Sequence, residues 1–377
     1  MRIIYIGPMD IPIPSEKGAV EEIIWQLSLK LSSNGFKVSI YNPIASNTLS
    51  KVFKSIVLHG IDCDNCILHF HDLIACGSYS SIIRYSYKSI LLSLHYPPWF
   101  ARSSFRHLAL RFLLKYLKSR QTIFVAPSRV ITNWIKRRIG GTAVFIPNGV
   151  DTSIFNPVKR SLEVREKMIK GKDVDVLVCY VARVHPSKNQ LDLLKAARIL
   201  VSSGIKNFRL IFIGPLHGRF GKQGGEFKYF ESLRQYIEKH NLEKFVEFLG
   251  EIPHHDDVAS YMASCDIYVH PSIIEAAAPL AILEALASGL PVVAYNLVYY
   301  LDYLKNHENA ILVDKGDVKA LAGALESLIT QPILRKHLGE NGRRFAEREL
   351  SWENIVKKYY IPLYNKLEQN TYSSDHG

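Results

Sequence analysis

The sequence predicts an α/β chain of two domains, each a doubly wound parallel sheet with helices on both faces. Three observations predict it. Short apolar runs alternate with helical patterns along almost the whole chain. The alternation breaks once, at a polar charged stretch, and then starts afresh. A length of 377 residues, 47% of them hydrophobic, suffices for two cores of ordinary size. Open parallel sheets bind ligands outside the carboxyl ends of their strands, so two such sheets facing one another would form a cleft.

In the first half the strand candidates are "RIIYIG", "KVSIYNP", "CILHFH", "SILLSLH", "IFVAP" and "AVFIPNGVD", with a helix around "VEEIIWQLSLKLSSNG" after the first. The break is "SLEVREKMIKGKDVD", which shows little apolar periodicity, and the halves join near Asp151 to Pro157. The second half offers "VLVCYVAR", a helix "QLDLLKAARILVSS", "FRLIFIGP", a helix "EFKYFESLRQYIEKHN", "VEFLG", a helix near "DDVASYMASC", and "IYVHPS". The stretch "PSIIEAAAPLAILEALASGLPVVAYN" follows. In it Pro279 suits the first turn of a helix, Gly289 the position past its end, and Pro291 forbids continuation. A helix from about Pro279 to Ser288 and a strand "VVAY" are expected there. The closing "NTYSSDHG" reads as a frayed tail.

No apolar run approaches the length needed to cross a bilayer, and "MRIIYIGPMDIPIP" reads as a short strand and a proline-broken loop rather than a signal peptide. Five cysteines, an odd number without secretory features, point to free thiols and a reducing, cytoplasmic compartment. The net charge of +12 is unevenly placed, because Leu73 to Val150 contains no Asp or Glu while its basic residues equal the whole excess. That stretch presents a positive surface to a polyanion. Nucleic acid is not the expected partner, since no aromatic ladder or reading helix accompanies the charge. Within it "FARSSFRHLALRFLLKYLKSR" is helical by its spacing. Phe105, Leu108, Ala109, Phe112 and Tyr116 form one face, expected to pack on the sheet. Leu110, Leu114 and Leu117 lie beside Arg111, Lys115 and Lys118, the arrangement of a helix resting peripherally on an anionic membrane surface.

Chemistry is sought at the strand ends. Within the helix near Pro279 only Glu284 and the terminal Ser288 are not apolar, so helix and carboxylate are expected to be buried. A buried carboxylate without partners costs several kcal/mol, so an arginine of the core or the hydroxyls of a ligand must satisfy it. Just before it, the small Ala276, Ala277 and Ala278 leave backbone N–H groups open to an anion at the helix N-terminus. "VARVHPSKNQ" places Arg183 and Lys188 directly after a strand, where an arginine fork and a lysine point charge suit a diphosphate. Gly18 and Ala19 precede a helix, in a stretch matching no established phosphate-loop pattern, and His95 ends the strand "SILLSLH". "CDNCILHFH" offers Cys63, Cys66, His69 and His71, with Asp62 and Asp64 nearby. Zinc sites usually carry longer intervals between ligand pairs, and no metal is expected.

Taken together, "KGAVEEIIWQLSLKLSSNGFKVS", "LSLH", "IPNGVDTSIFNP", "ARVHPSKNQLDLLKAA", "LIFIGP", "VEFLGEI", "DIYVHPSIIEAAAPLAILEALASGLPVVA", "NAILVDKGDVKALAGAL" and "SWENIV" resemble a retaining glycosyltransferase of the GT-B fold, family four, also called glycosyl transferases group 1. The resemblance implies two Rossmann-like domains facing across a cleft. Residues 1–152 would form the acceptor-side domain and 153–352 the nucleotide-sugar domain, with a C-terminal helix at about 353–368 returning to the first. It implies transfer of a hexosyl group from a UDP- or GDP-hexose to a glycan or lipid-linked acceptor, with no cofactor and no metal. Arg183 and Lys188 would then hold the donor diphosphate, Glu284 the ribose hydroxyls, and Glu275 hydroxyls of the transferred sugar, beside His95. Backbone amides of Ala277, Ala278, Pro279 and Leu280 would complete the pocket as far as each carries an N–H. Gly18 and Ala19 would line the diphosphate and acceptor side, and Gly250 the base. An epimerase or phosphorylase of the same fold is the alternative.

Three departures bear on which sugar is taken. Eight residues separate Glu275 from Glu284 where the family usually has seven, one alanine more. A glycine pair usual after the final strand aligns with Val298 and Tyr299, and an expected glycine is Ala310. The mechanism implied is attack on the face from which the diphosphate leaves, the leaving phosphate accepting the incoming hydroxyl's proton.

Overall fold

Runs of β-branched and aromatic residues form twelve strands in the computed structural model, which describes residues 1–8, 11–14, 18–42, 44, 66–82, 87–95, 104–171, 174–216, 225–275 and 279–372. The chain divides into two units, Met1–Gly149 with Trp352–Gly377, and Val150–Ser351. In the first, β1 (Arg2–Ile6), β2 (Lys37–Tyr41), β3 (Cys66–Phe70), β4 (Tyr87–Ser93), β5 (Ile123–Ala126) and β6 (Ala143–Phe145) form one sheet in the order β2-β1-β3-β4-β5-β6. In the second, β7 (Val176–Val181), β8 (Phe208–Ile213), β9 (Val246–Gly250), β10 (Ile267–His270), β11 (Val292–Tyr295) and β12 (Ala310–Val313) run in the order β12-β11-β10-β7-β8-β9. Every pairing is parallel.

Parallel strands are covered on both faces and so read as nearly continuous apolar runs. Alternate residues of β7 accordingly enter two cores: Val176, Val178 and Tyr180 one, Leu177 and Cys179 the other. The order in the second sheet reverses between β7 and β10, where Tyr268 lies level with Cys179. At such a switch point the crossover helices diverge and leave a crevice at the strands' carboxyl ends. Residues following β7 and β10 are therefore set side by side although far apart in sequence.

Several expectations need correction. The stretch read as a break contains a helix, Leu162–Ile169, capped by Ser161 accepting from Val164 N. Arg165 anchors it to Asp266 at 2.8 Å, and Met168 is buried. The two stripes of the helix Ser104–Ser119 are exchanged: Leu114 and Leu117 are in the core, while Leu108, Phe112 and Tyr116 are 52%, 63% and 37% exposed. The side chain of Phe105 lies outside the described set. The helix Leu280–Ala287 is not buried all round, because Leu280, Ala281 and Glu284 share a partly open side. Finally, the expectation of free thiols fails for Cys66, which is disulfide-bonded, while Cys76, Cys179 and Cys265 are buried and take part in no disulfide. A sulfur committed to a disulfide is not a metal-binding thiolate, and the described residues contain no group of three or more His, Cys, Asp or Glu placed to hold an ion.

The C-terminal segment packs on the first unit. Tyr364, on the helix Ile361–Tyr372, shares a 2.9 Å hydroxyl contact with Tyr5 of β1, and Gly149 is bare because a Cβ there would run into the Trp352 ring. The helix runs through Asn370 to Tyr372, residues expected to be part of a frayed tail, because Tyr364 and Leu367 are buried along it. Among the described residues no helix is long and apolar enough to cross a membrane.

Candidate active site

After β7 the chain passes Arg183 and makes one 3-10 turn, Pro186–Lys188, with His185 Nδ1 accepting from Ser187 N at 3.1 Å. Asn189 then takes a left-handed conformation, φ 56°, and starts the helix Gln190–Ser202. The neighbouring loop after β10 is stitched to this turn. Ile273 N donates to Ser187 O at 3.1 Å, and Asn189 Nδ2 to Pro271 O at 3.3 Å. Tyr180 Oη donates to Lys188 O at 2.7 Å and lies 3.3 Å from Ser272 Oγ. Glycine is required beside them: Gly214 has φ 138°, and a Cβ there would collide with Ala182 O.

This stitching brings Lys188 to Glu275, whose Oε1 accepts a hydrogen bond from Lys188 Nζ and lies 3.3 Å from His270 Nε2. Burial raises the Glu275 carboxyl, but His270 and Lys188 outweigh it and hold the group at about 2. Burial lowers His270, partly offset by Glu275. Arg183, on the same loop as Lys188, is exposed, and its guanidinium has no hydrogen bond or ion pair among the described residues. Glu284 stands one turn into the helix Leu280–Ala287. Burial, Tyr180, Cys179 and then Glu284 raise the Tyr268 phenol, which places that carboxylate in the field of the same cluster. Gly250 ends β9 at φ 77°, its carbonyl accepting from Gly214 N at 2.8 Å. Pro279 and Leu280 open the helix partly buried, whereas Ala277 and Ala278 lie outside the described residues.

The remaining predicted residues belong to the first unit. Gly18, φ 106°, and Ala19 are exposed at the start of the helix Ala19–Ser33, whose first turn carries Glu21 and Glu22. Those carboxylates already complement the helix dipole there and do not favour a second anion. His95 follows β4, its Nε2 2.9 Å from His71 Nδ1 and the rings stacked at 5.1 Å. His69 lies beyond His71, bonded to Tyr364 Oη and Ser93 Oγ, both at 2.8 Å. Burial brings His95 down to about 4 and, with His95 adding, His69 to about 3; burial and both neighbours push His71 well below its usual value. All three are neutral near pH 7.

Of the residues expected in the second unit, Lys188 and Glu275 meet at the switch point, with Arg183 on the same loop as Lys188, while Gly250 ends the edge strand β9. Two were missed, His270 and Tyr268; the signal for His270 was present as a histidine ending a strand five residues before Glu275. His71, weighed in the sequence only as a metal ligand, instead pairs with His95.

Residues 164–345 match the family model described as glycosyl transferases group 1, nearly the whole of the second unit. The capsular polysaccharide biosynthesis glycosyltransferase CapM of Staphylococcus aureus is 28% identical over 216 residues, 56% of this chain and 52% of CapM. The UDP-Gal:alpha-D-GlcNAc-diphosphoundecaprenol alpha-1,3-galactosyltransferase of Escherichia coli is 28% identical over 56% of this chain and 51% of its own length. The matched region thus spans about half the length of these relatives. Among solved structures, HepE of Anabaena in complex with UDP has a TM-score of 0.76 at 20% identity, covering 97% of this chain and 100% of that one. At that identity the likeness concerns the fold, which is GT-B.

Proposed function

We propose that this chain, whose second unit belongs to the glycosyl transferases group 1 family, is a retaining glycosyltransferase moving a hexosyl group from a nucleotide-diphosphate sugar to an acceptor hydroxyl. One observation carries the reading: Lys188 after β7 meets Glu275 after β10 across the switch point of one sheet, with Arg183 exposed on the same loop as Lys188 and Glu284 on the helix that follows Glu275. A diphosphate there receives a fork from Arg183 and a point charge from Lys188, which exchanges its internal carboxylate for the ligand. The N-terminus of the helix Leu280–Ala287 adds positive potential.

Charge grows on the phosphate as the sugar–oxygen bond breaks, and fixed cations are worth most at that moment. They belong to the chain itself, so the reaction is expected to need no metal. The departing phosphate takes the proton of the incoming hydroxyl on the same face, and the configuration is retained. Glu284 accepts from the ribose hydroxyls and Glu275 from the sugar. A uridine donor is supported by the UDP complex of the similar HepE. A lipid-linked acceptor is supported by the diphosphoundecaprenol substrate in the galactosyltransferase's name.

Glu284→Gln tests the ribose role, since the amide puts a donor where only acceptors suit a diol. Affinity for UDP or GDP, whichever the wild type binds, should fall about tenfold or more in calorimetry. Unchanged affinity would remove that role.

The acceptor side is proposed to rest on an anionic membrane. Leu108, Phe112 and Tyr116 are exposed on the helix Ser104–Ser119 beside Arg111, Lys115 and Lys118. Lys136, Arg137 and Arg138 are exposed on the neighbouring segment Ile135–Ile139. Each basic residue near such a surface contributes about 1 kcal/mol, screened by salt. Co-sedimentation with phosphatidylserine vesicles should be lost in Phe112→Ser/Leu108→Ser and when Arg111, Lys115 and Lys118 all become Glu. Binding indifferent to lipid charge would overturn this assignment.

A further inference from the structure

We infer that His270 and Tyr268 are positioning residues for Glu275, holding its carboxylate in place once a donor diphosphate has drawn Lys188 away. The inference rests on the proposed nucleotide-sugar site and assigns roles to two residues that the reading above does not use.

Without a ligand, one oxygen of Glu275 meets two donors, Lys188 Nζ and His270 Nε2. The two differ in what a ligand does to them. Lys188 is a point charge on a flexible four-carbon stem, and a diphosphate competes directly for it. His270 is the last residue of β10 and 1% exposed, with Tyr180 and Tyr300 edge-on to its ring at 5.2 Å and 6.0 Å. It cannot follow a moving partner. When Lys188 turns to phosphate, His270 is the contact that remains to Glu275.

The tautomer follows from the partners. An ionised carboxylate only accepts, so Nε2 must carry the hydrogen. In the neutral ring Nδ1 is then a bare acceptor, and Tyr268 Oη, 2.9 Å away, donates to it. Tyr268 thereby selects the tautomer that serves Glu275, as an outer partner fixes a histidine facing a metal or substrate. Tyr268 also lies in the field of Glu284. Glu275 is the group assigned to the transferred sugar. Losing its support should be felt in the sugar and in turnover, and little in the nucleotide.

His270→Phe keeps the ring between the tyrosines and removes both nitrogens. His270→Gln restores an N–H near the Nε2 place, and Tyr268→Phe removes the hydroxyl alone. Calorimetry with UDP, GDP, UDP-glucose and GDP-mannose, and turnover of whichever sugar nucleotide the wild type accepts, separate the roles. His270→Phe should bind the nucleoside diphosphate within about twofold of wild type while its kcat falls about tenfold to a hundredfold. His270→Gln should recover most of that loss, and Tyr268→Phe should fall between. Side-chain 15N spectra of the wild type should show His270 protonated at Nε2. Wild-type turnover in His270→Phe, equal losses of nucleotide and sugar affinity, or a proton on Nδ1 would overturn the inference. A wild type that binds no nucleotide and no sugar nucleotide overturns the functional reading itself, and the inference with it.

Discussion

Arg183→Ala should lower kcat/KM by about ten- to a hundredfold while leaving the thermal midpoint unchanged. A hydrogen bond to a charged group contributes about 1.5–3 kcal/mol, and each 1.4 kcal/mol is a tenfold change in rate. The loss should fall mainly on kcat, because the phosphate gains charge as it leaves. Stability should not move, since Arg183 is exposed, its guanidinium makes no hydrogen bond or ion pair among the described residues, and the carbonyl that accepts from Gln190 Nε2 is kept by alanine. Lys188→Ala should lose turnover similarly and also stability, because it strips Glu275 of its cation. Steady-state kinetics beside a melting curve checks both. Wild-type kcat/KM in the two variants would remove the diphosphate site.

Acidification from pH 6.5 should destabilise the first unit steeply. Unfolded histidines take up protons near 6.5, whereas in the folded unit burial delays His95 to about 4 and His69 to about 3, and burial with both neighbouring histidines holds His71 well below its usual value. Between those values the unfolded chain binds more protons, so stability is full above 6.5 and is lost as pH falls. With all three acting, the slope reaches about 4 kcal/mol per pH unit. All four tryptophans, Trp25, Trp99, Trp134 and Trp352, belong to this unit, so intrinsic fluorescence reports its unfolding selectively. Urea titrations from pH 7.5 down to 5 should show the midpoint falling, and less so in His69→Gln. A flat midpoint would contradict the neutral histidine cluster.

Much of this was legible in the chain itself, and the rest was hidden for definite reasons. Short β-branched runs such as "VLVCYV" and "FRLIFI" sufficed to place strands, because a strand buried on both faces is apolar throughout. Strand order was not legible. Lys188 and Glu275 meet only because β10 lies against β7 rather than against β9, and no local pattern encodes that neighbour. The helix Ser104–Ser119 carries two apolar stripes, and periodicity cannot say which one faces the sheet. Packing chose the compact leucines Leu114 and Leu117 and left the larger Phe112 outside. His270 passed unnoticed because a histidine ending a strand looks structural until its partner, Glu275, is seen folded back against it.

Incubation with a panel of UDP- and GDP-hexoses and a diphospholipid-linked sugar acceptor, in excess chelator, tests the central claim most directly. Nucleoside diphosphate and the anomeric configuration of the product are followed together. The account predicts glycosylated acceptor and free nucleoside diphosphate in equal amounts, no sugar product without acceptor, and the donor's anomeric configuration kept. Conversion of the sugar nucleotide to an isomer without acceptor, a product of inverted configuration, or a strict demand for a divalent metal would contradict it.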